Sequence, residues 1–211
     1  MLREIYGKRG VLHPDDPVAI IGAGPAGLSA AHDLALRGYP VTIFETQPVA
    51  GGMLRLGIPE YRLPRELVKL EINAILSLGV ALKVGRRLGR DFTLSDLRAQ
   101  GFRAVFIAIG AHKGRDLEIP GVELDGVLKG VDFLLNMNMG YRLDLGGKVI
   151  VIGGGSVALD VARTALRTAI PEQMVNPEIN IITALDVARS AIRFGIKEVQ
   201  VVSLESMEEM P

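Results

Sequence analysis

Short runs of mostly apolar residues alternate along the chain with longer stretches in which apolar and polar residues mix. The short runs are rich in β-branched residues and predict strands at residues 18–21, 41–44, 81–84, 104–109, 149–152 and 199–203, of which those at 18–21, 41–44 and 104–109 are expected to be buried. The longer stretches predict helices at about residues 25–37, 64–78, 130–139 and 157–167, with a brief helix after Thr93. On the helix at 64–78, the residues Leu67, Leu70, Ile75 and Leu78 are expected to form the apolar side. Strands alternating with helices predict an α/β fold with parallel sheets.

A glycine-rich turn joins the first predicted strand to the first predicted helix. Gly22, Gly24 and Gly27 have the Gly-x-Gly-x-x-Gly spacing. In this context one glycine makes the tight turn, the next lets the backbone approach phosphates, and the third lets helix and strand pack closely. The motif alone is weak evidence. Glu45 adds to it, because an acid about 20 residues beyond the glycines, at the end of the second strand, accepts from ribose hydroxyls. The alternative for Glu45 is a solvated loop carboxylate.

A second turn of the same kind follows the predicted strand at 149–152. It reads Gly153-Gly154-Gly155-Ser156-Val157-Ala158, with alanine in the third glycine position. Two such turns about 130 residues apart, each between a strand and a helix, predict two Rossmann-like dinucleotide-binding units.

Composition excludes several other classes of protein. The 211 residues are 48% hydrophobic and carry a formal net charge of +0, which gives no indication of nucleic-acid binding. The absence of cysteine excludes disulfides, a thiol redox pair and thiolate-held metals or iron–sulfur clusters in this chain. His13, His32 and His112 lack the spacing of metal ligands, so no metal site is expected. No apolar run predicts a membrane helix and the charged N-terminus does not resemble a secretory signal, so a cytoplasmic protein is expected.

An internal repeat interrupts the second unit. Residues 158–167 recur at 184–193 with eight of ten positions identical. Only the first copy follows glycines, so residues 168–193 are predicted to be a helical insert. Without 26 residues, Glu205 would stand at the distance of a ribose-binding acid from Ala158. The insert is interpreted as an extra surface helix, with a partner-binding segment as the alternative.

The stretch between the two units carries a family resemblance. Residues 51–64 begin with two glycines and an apolar pair, which suits a loop whose backbone lies against a flat ligand, and they end in Gly-Ile-Pro-Glu-Tyr-Arg-Leu-Pro. With Glu-Glu-Met-Pro at 208–211, this run resembles the glutamate synthase small-subunit family of flavin-dependent pyridine nucleotide oxidoreductases. The resemblance covers about residues 15–211, apart from the insert.

The resemblance implies FAD on the first unit and a nicotinamide nucleotide on the second. The FAD pyrophosphate would be held by Gly22, Gly24, Pro25, Ala26 and Gly27, and the adenosine ribose by Glu45. The flavin would lie along Gly52, Met53, Leu54 and Arg55; Leu88 would contact the adenine; Ala108, Ile109 and Gly110 would form the strand end that returns toward FAD. The nicotinamide nucleotide would be held by Gly153, Gly154, Gly155, Ser156, Val157 and Ala158. The implied division is an N-terminal arm at 1–17, an FAD domain at 18–145 and a partial NAD domain at 146–211.

Three departures from the family sharpen these expectations. Ser203-Leu204-Glu205 stands where NADPH-using members typically read Tyr-Arg-Arg. A carboxylate repels a 2′-phosphate and accepts from a free 2′-hydroxyl, so NAD(H) is predicted, with Glu205 on the ribose. The family's cysteine-rich segment is absent, so a partner subunit is expected to carry iron–sulfur clusters or the acceptor site. The family also continues beyond the position of Pro211, so a fragment or a short subunit with an incomplete second domain is expected.

The predicted function is electron transfer between NAD(H), FAD and a partner or acceptor. The cofactors carry the chemistry, so no catalytic acid or base is assigned. The run at 57–64 disfavours a flavin monooxygenase, and the lack of cysteine excludes a thioredoxin-reductase-like disulfide enzyme. Two alternatives remain: a non-catalytic FAD-binding or structural subunit of a redox complex, and a truncated product without function of its own.

Overall fold

The computed structural model describes residue 13, residues 15–114, 117–141, 143, 145 and 149–168, and the backbone of residues 199–202. Its strands are β1 (Val18–Ile21), β2 (Val41–Phe44), β3 (Ala81–Lys83), β4 (Ala104–Ile107), β5 (Val149–Ile152) and β6 (Val199–Val202). Its helices are α1 (Pro25–Leu36), α2 (Met53–Leu56), α3 (Arg65–Leu76), α4 (Leu94–Ala99), α5 (Gly130–Asn138) and α6 (Ser156–Thr168). The chain divides into two compact units, one of residues 1–54 and 65–111 and the other of residues 55–64 and 112–211.

The first unit is built on a four-stranded parallel sheet with the order β3-β2-β1-β4. β1 is apolar throughout and buried along its whole length, as expected for a central strand covered on both faces. Phe44 and Phe92 pack with ring centroids 4.9 Å apart, in a core cluster that includes Ile21 and Leu97. Because all four strands are parallel, their carboxyl ends lie at one edge of the sheet, where the glycine turn and Glu45 follow β1 and β2.

The second unit pairs β5 with β6 in parallel and packs α6 against β5 and α5. Val151, Ala158, Ala162 and Leu166 form one buried cluster. Gly130 lets α5 approach α6 closely, because a Cβ at this position would lie 3.0 Å from Cγ2 of Val161. The buried side of α6 carries three alanines together with Asp160 and Leu166.

The predicted strands and the longer predicted helices are confirmed to within two residues at either end among the described residues. The capping box before α4 is also confirmed, with Thr93 and Asp96 bonding each other's backbone N–H groups. The predicted insert lies outside the described residues, except for Thr168. Glu205 also lies outside them. The division into cofactor domains stays a prediction, since the two compact units follow the geometry of the chain and not its ligands.

Three expectations are wrong. The strand at 104–109, expected to be buried, has Phe106 exposed to 43% and Ile107 to 52%, because β4 is an edge strand of the sheet. Residues 53–56, expected as part of a loop, form the one-turn helix α2. On α3 the predicted apolar side is exposed, with Leu67 at 51% and Leu70 at 65%, whereas Val68 and Ile72 are buried. Val68 and Ile72 are four residues apart and therefore lie on one face of the helix. The predicted set also lies on one face, so apolar periodicity alone does not decide which of the two faces packs inward.

Candidate dinucleotide sites

The first glycine turn is enclosed by backbone. Gly22 has a φ of +108°, and a Cβ at this position would overlap the carbonyl oxygen of Ala108. A Cβ at Gly27 would overlap the carbonyl oxygen of Gly22. Two of the three glycines are therefore required by the close approach of α1, β1 and the end of β4. The backbone geometry alone therefore requires glycine at positions 22 and 27, whether or not a ligand binds.

A second glycine loop lies against the first. Gly51 donates its backbone N–H to the carbonyl oxygen of Ala23 at 2.8 Å. Gly52 has a φ of +53°, and a Cβ there would lie 2.8 Å from Cα of Gly24. The two loops thus meet backbone to backbone, so residues 51–52 belong structurally to the turn that precedes α1.

The N-terminus of α1 has the properties of an anion site. Gly24 is the N-cap residue in an extended conformation, no side chain caps the helix, and no acidic residue occupies its first turn. The first backbone N–H groups of a helix lack intrahelical partners, and the helix dipole places partial positive charge there. At Gly24 a Cβ would meet only Cα of Gly52, at 3.9 Å. The cradle is therefore open at Gly24, and its residues fit a pyrophosphate group.

Glu45 lies at the carboxyl end of β2, and its carboxylate is already bonded to the backbone. Its Oε2 accepts from the N–H of Ala23 at 2.7 Å, and its Oε1 accepts from the N–H of Gln47 at 2.8 Å. The residue is only 7% exposed. Glu45 thus ties the glycine turn to the end of β2, a structural role that spacing alone does not reveal. The alternative of a solvated loop carboxylate is wrong, because the carboxylate is buried and bonded.

The other residues predicted to contact FAD occupy different positions in the first unit. The backbone of Ala108 lies directly against Gly22, whereas Ile109 is exposed and Gly110 follows with a φ of +69°. Leu88 is half-buried and packs on the cluster of Phe44 and Phe92. Met53 and Leu54 lie on α2, where the carbonyl oxygen of Leu54 accepts from the Arg65 guanidinium at 3.2 Å. Arg55, also on α2, groups with the second unit.

The second glycine turn is less crowded than the first. Gly153 has a φ of +122°, and a Cβ at this position would meet only the Cβ of Ala158, at 3.5 Å. In the first turn, the position that corresponds to Ala158 is Gly27, where a Cβ would overlap the carbonyl oxygen of Gly22. This difference accounts for glycine at 27 and alanine at 158. Gly154 is half-buried, and Gly155, Ser156 and Val157 are exposed at the start of α6. The turn therefore presents another helix N-terminus with no acidic residue in its first turn.

A polar cluster in the second unit was not predicted. Arg62 pairs with the buried carboxylate of Asp160 on α6 at 2.6 Å, and the Arg167 guanidinium carbon lies 3.6 Å from the ring centroid of Tyr61. Burial raises the pKa of the Tyr61 hydroxyl, and the negative charge of Asp160 raises it further. Burial also lowers the pKa of Arg167, which the neighbouring Arg163 lowers further. These contacts attach the segment 55–64 to α6.

Within the described part of the chain, no group of His, Asp and Glu residues is arranged to hold a metal ion. No helix there has both the length and the apolar character needed to cross a bilayer.

Comparison with known proteins identifies the family. Residues 16–206 match the family model described as pyridine nucleotide-disulphide oxidoreductase. The chain belongs to this family. Among its relatives are the beta subunit of the NADP(+)-dependent formate dehydrogenase of Moorella thermoacetica, 52% identical over 74% of this chain and 22% of the relative, and the PreT subunit of the NAD-dependent dihydropyrimidine dehydrogenase of Escherichia coli, 43% identical over 70% of this chain and 35% of the relative. The glutamate synthase [NADPH] small chain of Azospirillum brasilense is 36% identical over 71% of this chain and 33% of the relative.

A solved structure has a similar fold. FprA of Mycobacterium tuberculosis in complex with NADPH is similar with a TM-score of 0.68 and 25% identity, over 89% of this chain and 43% of that protein. The resemblance to the glutamate synthase small-subunit family is confirmed, and so is the α/β fold with a parallel sheet. This pyridine nucleotide-disulphide oxidoreductase spans about a fifth to a third of the length of the curated relatives named here.

Proposed function

We propose that this chain is a flavin-dependent electron-transfer module, with FAD on the turn at Gly22 and NAD(H) on the turn at Gly153. The observation that carries the proposal is the open, uncapped N-terminus of α1 between two glycine loops. An anionic pyrophosphate would satisfy the free N–H groups there and interact favourably with the helix dipole. The second helix N-terminus supports a second dinucleotide, so the fold is proposed to be that of a two-dinucleotide flavoprotein.

In this proposal the first glycine turn and the other residues that the family resemblance assigns to FAD bind and orient this cofactor. Gly22, Gly24, Pro25, Ala26 and Gly27 form the pyrophosphate cradle. Glu45 accepts from the adenosine ribose in addition to its two backbone bonds, because each carboxylate oxygen has two lone pairs. Gly52, Met53, Leu54 and Arg55 lie along the flavin, Leu88 lies at the adenine, and Ala108, Ile109 and Gly110 return toward the cofactor.

When bound, FAD supplies a group that accepts a hydride from a reduced nicotinamide and passes the electrons onward. The protein contributes position, orientation and the electrostatics of the helix termini. We assign no general acid or base to this chain, in keeping with chemistry that belongs to the cofactors.

The second unit is proposed to prefer NADH to NADPH. Gly153, Gly154, Gly155, Ser156, Val157 and Ala158 would hold the pyrophosphate. Glu205, outside the described residues, would accept from the free 2′-hydroxyl and repel a 2′-phosphate. The names of the relatives include both NAD- and NADP-dependent enzymes, so the preference rests on the charge of Glu205.

Electrons are proposed to leave through a partner subunit in the cytoplasm. This chain has no cysteine to ligate an iron–sulfur cluster. Two of the relatives are named as subunits and a third as a small chain, which supports a larger assembly. The partner would carry iron–sulfur clusters or the acceptor site.

Visible absorbance of the purified chain after addition of FAD, followed by anaerobic addition of NADH, tests the function. Retained flavin bands that bleach with NADH are expected. Retained bands that do not bleach would instead support a non-catalytic FAD-binding subunit, and the absence of bound flavin would contradict the proposal.

The nucleotide preference is tested with Glu205→Arg. The variant replaces repulsion between the Glu205 carboxylate and the 2′-phosphate by a charge-assisted hydrogen bond from the arginine. The ratio of NADPH affinity to NADH affinity should therefore rise by about tenfold or more. Glu208→Arg is the matched control and should leave the preference unchanged. Tighter binding of NADPH than NADH by the wild-type chain would overturn this part of the proposal.

A further inference from the structure

Residues 55–64, which we call the strap, interrupt the first unit. The chain leaves that unit after Leu54 and rejoins it at Arg65, and the strap between them groups with the second unit. Leu56 is 1% exposed, and Gly57 and Pro59 are also buried. The strap folds back on itself, because the carbonyl oxygen of Pro59 accepts from the backbone N–H groups of Arg62 and Leu63, at 3.0 and 3.1 Å.

Side chains of α5 and α6 hold the strap along its length. Near its start, Nδ2 of Asn138 donates to the carbonyl oxygens of Leu56 at 2.8 Å and Ile58 at 3.4 Å. Near its end, Arg62 donates to the buried Oδ2 of Asp160 at 2.6 Å, and Arg167 stacks on Tyr61. Charge-assisted bonds to a buried partner are stronger than neutral ones, so the pair with Asp160 is the main fixing point.

The start of the strap is continuous with the glycine loop at residues 51–52. α2 runs from Met53 to Leu56 and so joins that loop to the strap in one helical turn. At the other side of the loop, Gly51 is bonded to Ala23. Along the chain, the stretch 52–55 therefore lies between a loop bonded to the glycine turn and a strap bonded to α5 and α6.

We propose that Arg62, Asp160 and Asn138 are positioning residues, which hold the stretch 52–55 in place by anchoring the strap to α5 and α6. The proposal rests on the proposed function in one respect, that this stretch lies along the flavin. The anchoring itself is a property of the chain without any cofactor. Loss of the anchoring would change the surroundings of the flavin ring of bound FAD. It would not change the surroundings of the adenosine, where Glu45 is proposed to bind.

Amide hydrogen exchange of the chain without FAD tests the anchoring. Arg62→Gln should raise the exchange rates of the backbone amides at positions 54, 62 and 63 by about tenfold, the consequence of losing a charge-assisted bond. Gly51 should exchange at the wild-type rate, because its bond to Ala23 is untouched. Arg62→Lys should restore most of the protection, and Arg98→Gln, a change at an exposed arginine of α4, should have no effect.

Asn138→Leu provides a second variant that removes the α5 contact without changing a charge, and it should give the same pattern at Leu54. Unchanged exchange at Leu54 in both variants would overturn the proposal, whether or not the strap itself exchanges faster. Equal acceleration throughout the chain would also overturn it, since that result indicates general destabilisation.

Visible circular dichroism of bound FAD tests the consequence for the flavin. Arg62→Gln should change the flavin bands while the FAD dissociation constant stays within about threefold, and Arg62→Lys should restore the bands. Unchanged bands would contradict the positioning role. If the wild-type chain binds no FAD, the proposed function fails, whereas the exchange measurement still decides whether the strap holds the stretch 52–55.

Discussion

Replacement of Glu45 offers the sharpest separation of a structural role from a ligand-binding role. Its buried carboxylate accepts two backbone N–H groups, from Ala23 at 2.7 Å and Gln47 at 2.8 Å. Glu45→Ala leaves both donors without this acceptor, and each lost bond costs about 1–3 kcal/mol where the donor stays unsatisfied. Because Gln47 is only half-buried, water compensates part of its loss, so we expect the free energy of unfolding to fall by about 2–4 kcal/mol.

Urea unfolding followed by far-ultraviolet circular dichroism, on the chain without FAD, measures this effect. With a slope of about 2 kcal/mol per molar urea, the midpoint should fall by about 1–2 M. Glu45→Gln should lower the free energy of unfolding by nearly as much, because the NH₂ group of the glutamine amide would face one of the two backbone N–H donors. Glu66→Gln, an exposed acid on α3, is the matched control, with an expected change within about 0.5 kcal/mol. A Glu45→Ala midpoint equal to that of the wild type would refute the reasoning and leave only the ribose role.

The remaining predictions concern the two glycine turns, one titration and one cap. Gly27→Ala should cost about 3 kcal/mol or more, because its Cβ would overlap the Gly22 carbonyl. Ala158→Gly, at the equivalent position, should cost only about 1–2 kcal/mol, and equal costs in urea unfolding would contradict the difference between the turns. The raised pKa of Tyr61 stabilises the folded state fully below the unfolded pKa of about 10, and this stability is lost as pH rises above that value. Tyr61→Phe should therefore flatten the fall in urea midpoint between pH 9 and 11, and an unchanged slope would show that the pKa is not raised. Thr93→Ala should cost about 1 kcal/mol by removing the cap of α4, and an unchanged thermal midpoint would contradict that role.

The elements that sequence predicts well are those whose signal is local. β1, β2 and β5 were predicted with their observed ends, because each is a short apolar run bounded by loop residues. The glycine turns were predicted for the same reason, since a strand, a turn and a helix lie within about 20 residues. The required absence of side chains at Gly22 and Gly27 agrees with the roles assigned to the motif.

The features that sequence does not predict depend on contacts between distant residues. The bond between Glu45 and Ala23 spans 22 positions, and that between Arg62 and Asp160 spans 98. Spacing identified Glu45 as an acid near a ribose but could not show that its oxygens already accept backbone donors. The inward face of α3 was likewise missed, because Val68 and Ile72 satisfy helical periodicity as well as the leucines do.

Titration of FAD into the wild-type chain and Gly24→Asp tests the central claim most directly. Gly24 is an extended N-cap residue with space for a side chain, and Asp is a preferred N-cap, so the variant should fold with an unfolding midpoint no lower than that of the wild type. Its carboxylate would take the N–H groups and repel the pyrophosphate, so FAD should bind about 100-fold more weakly, whereas the neutral cap Gly24→Ser should lose less. FAD binding by Gly24→Asp as tight as by the wild type would contradict a pyrophosphate site at the start of α1.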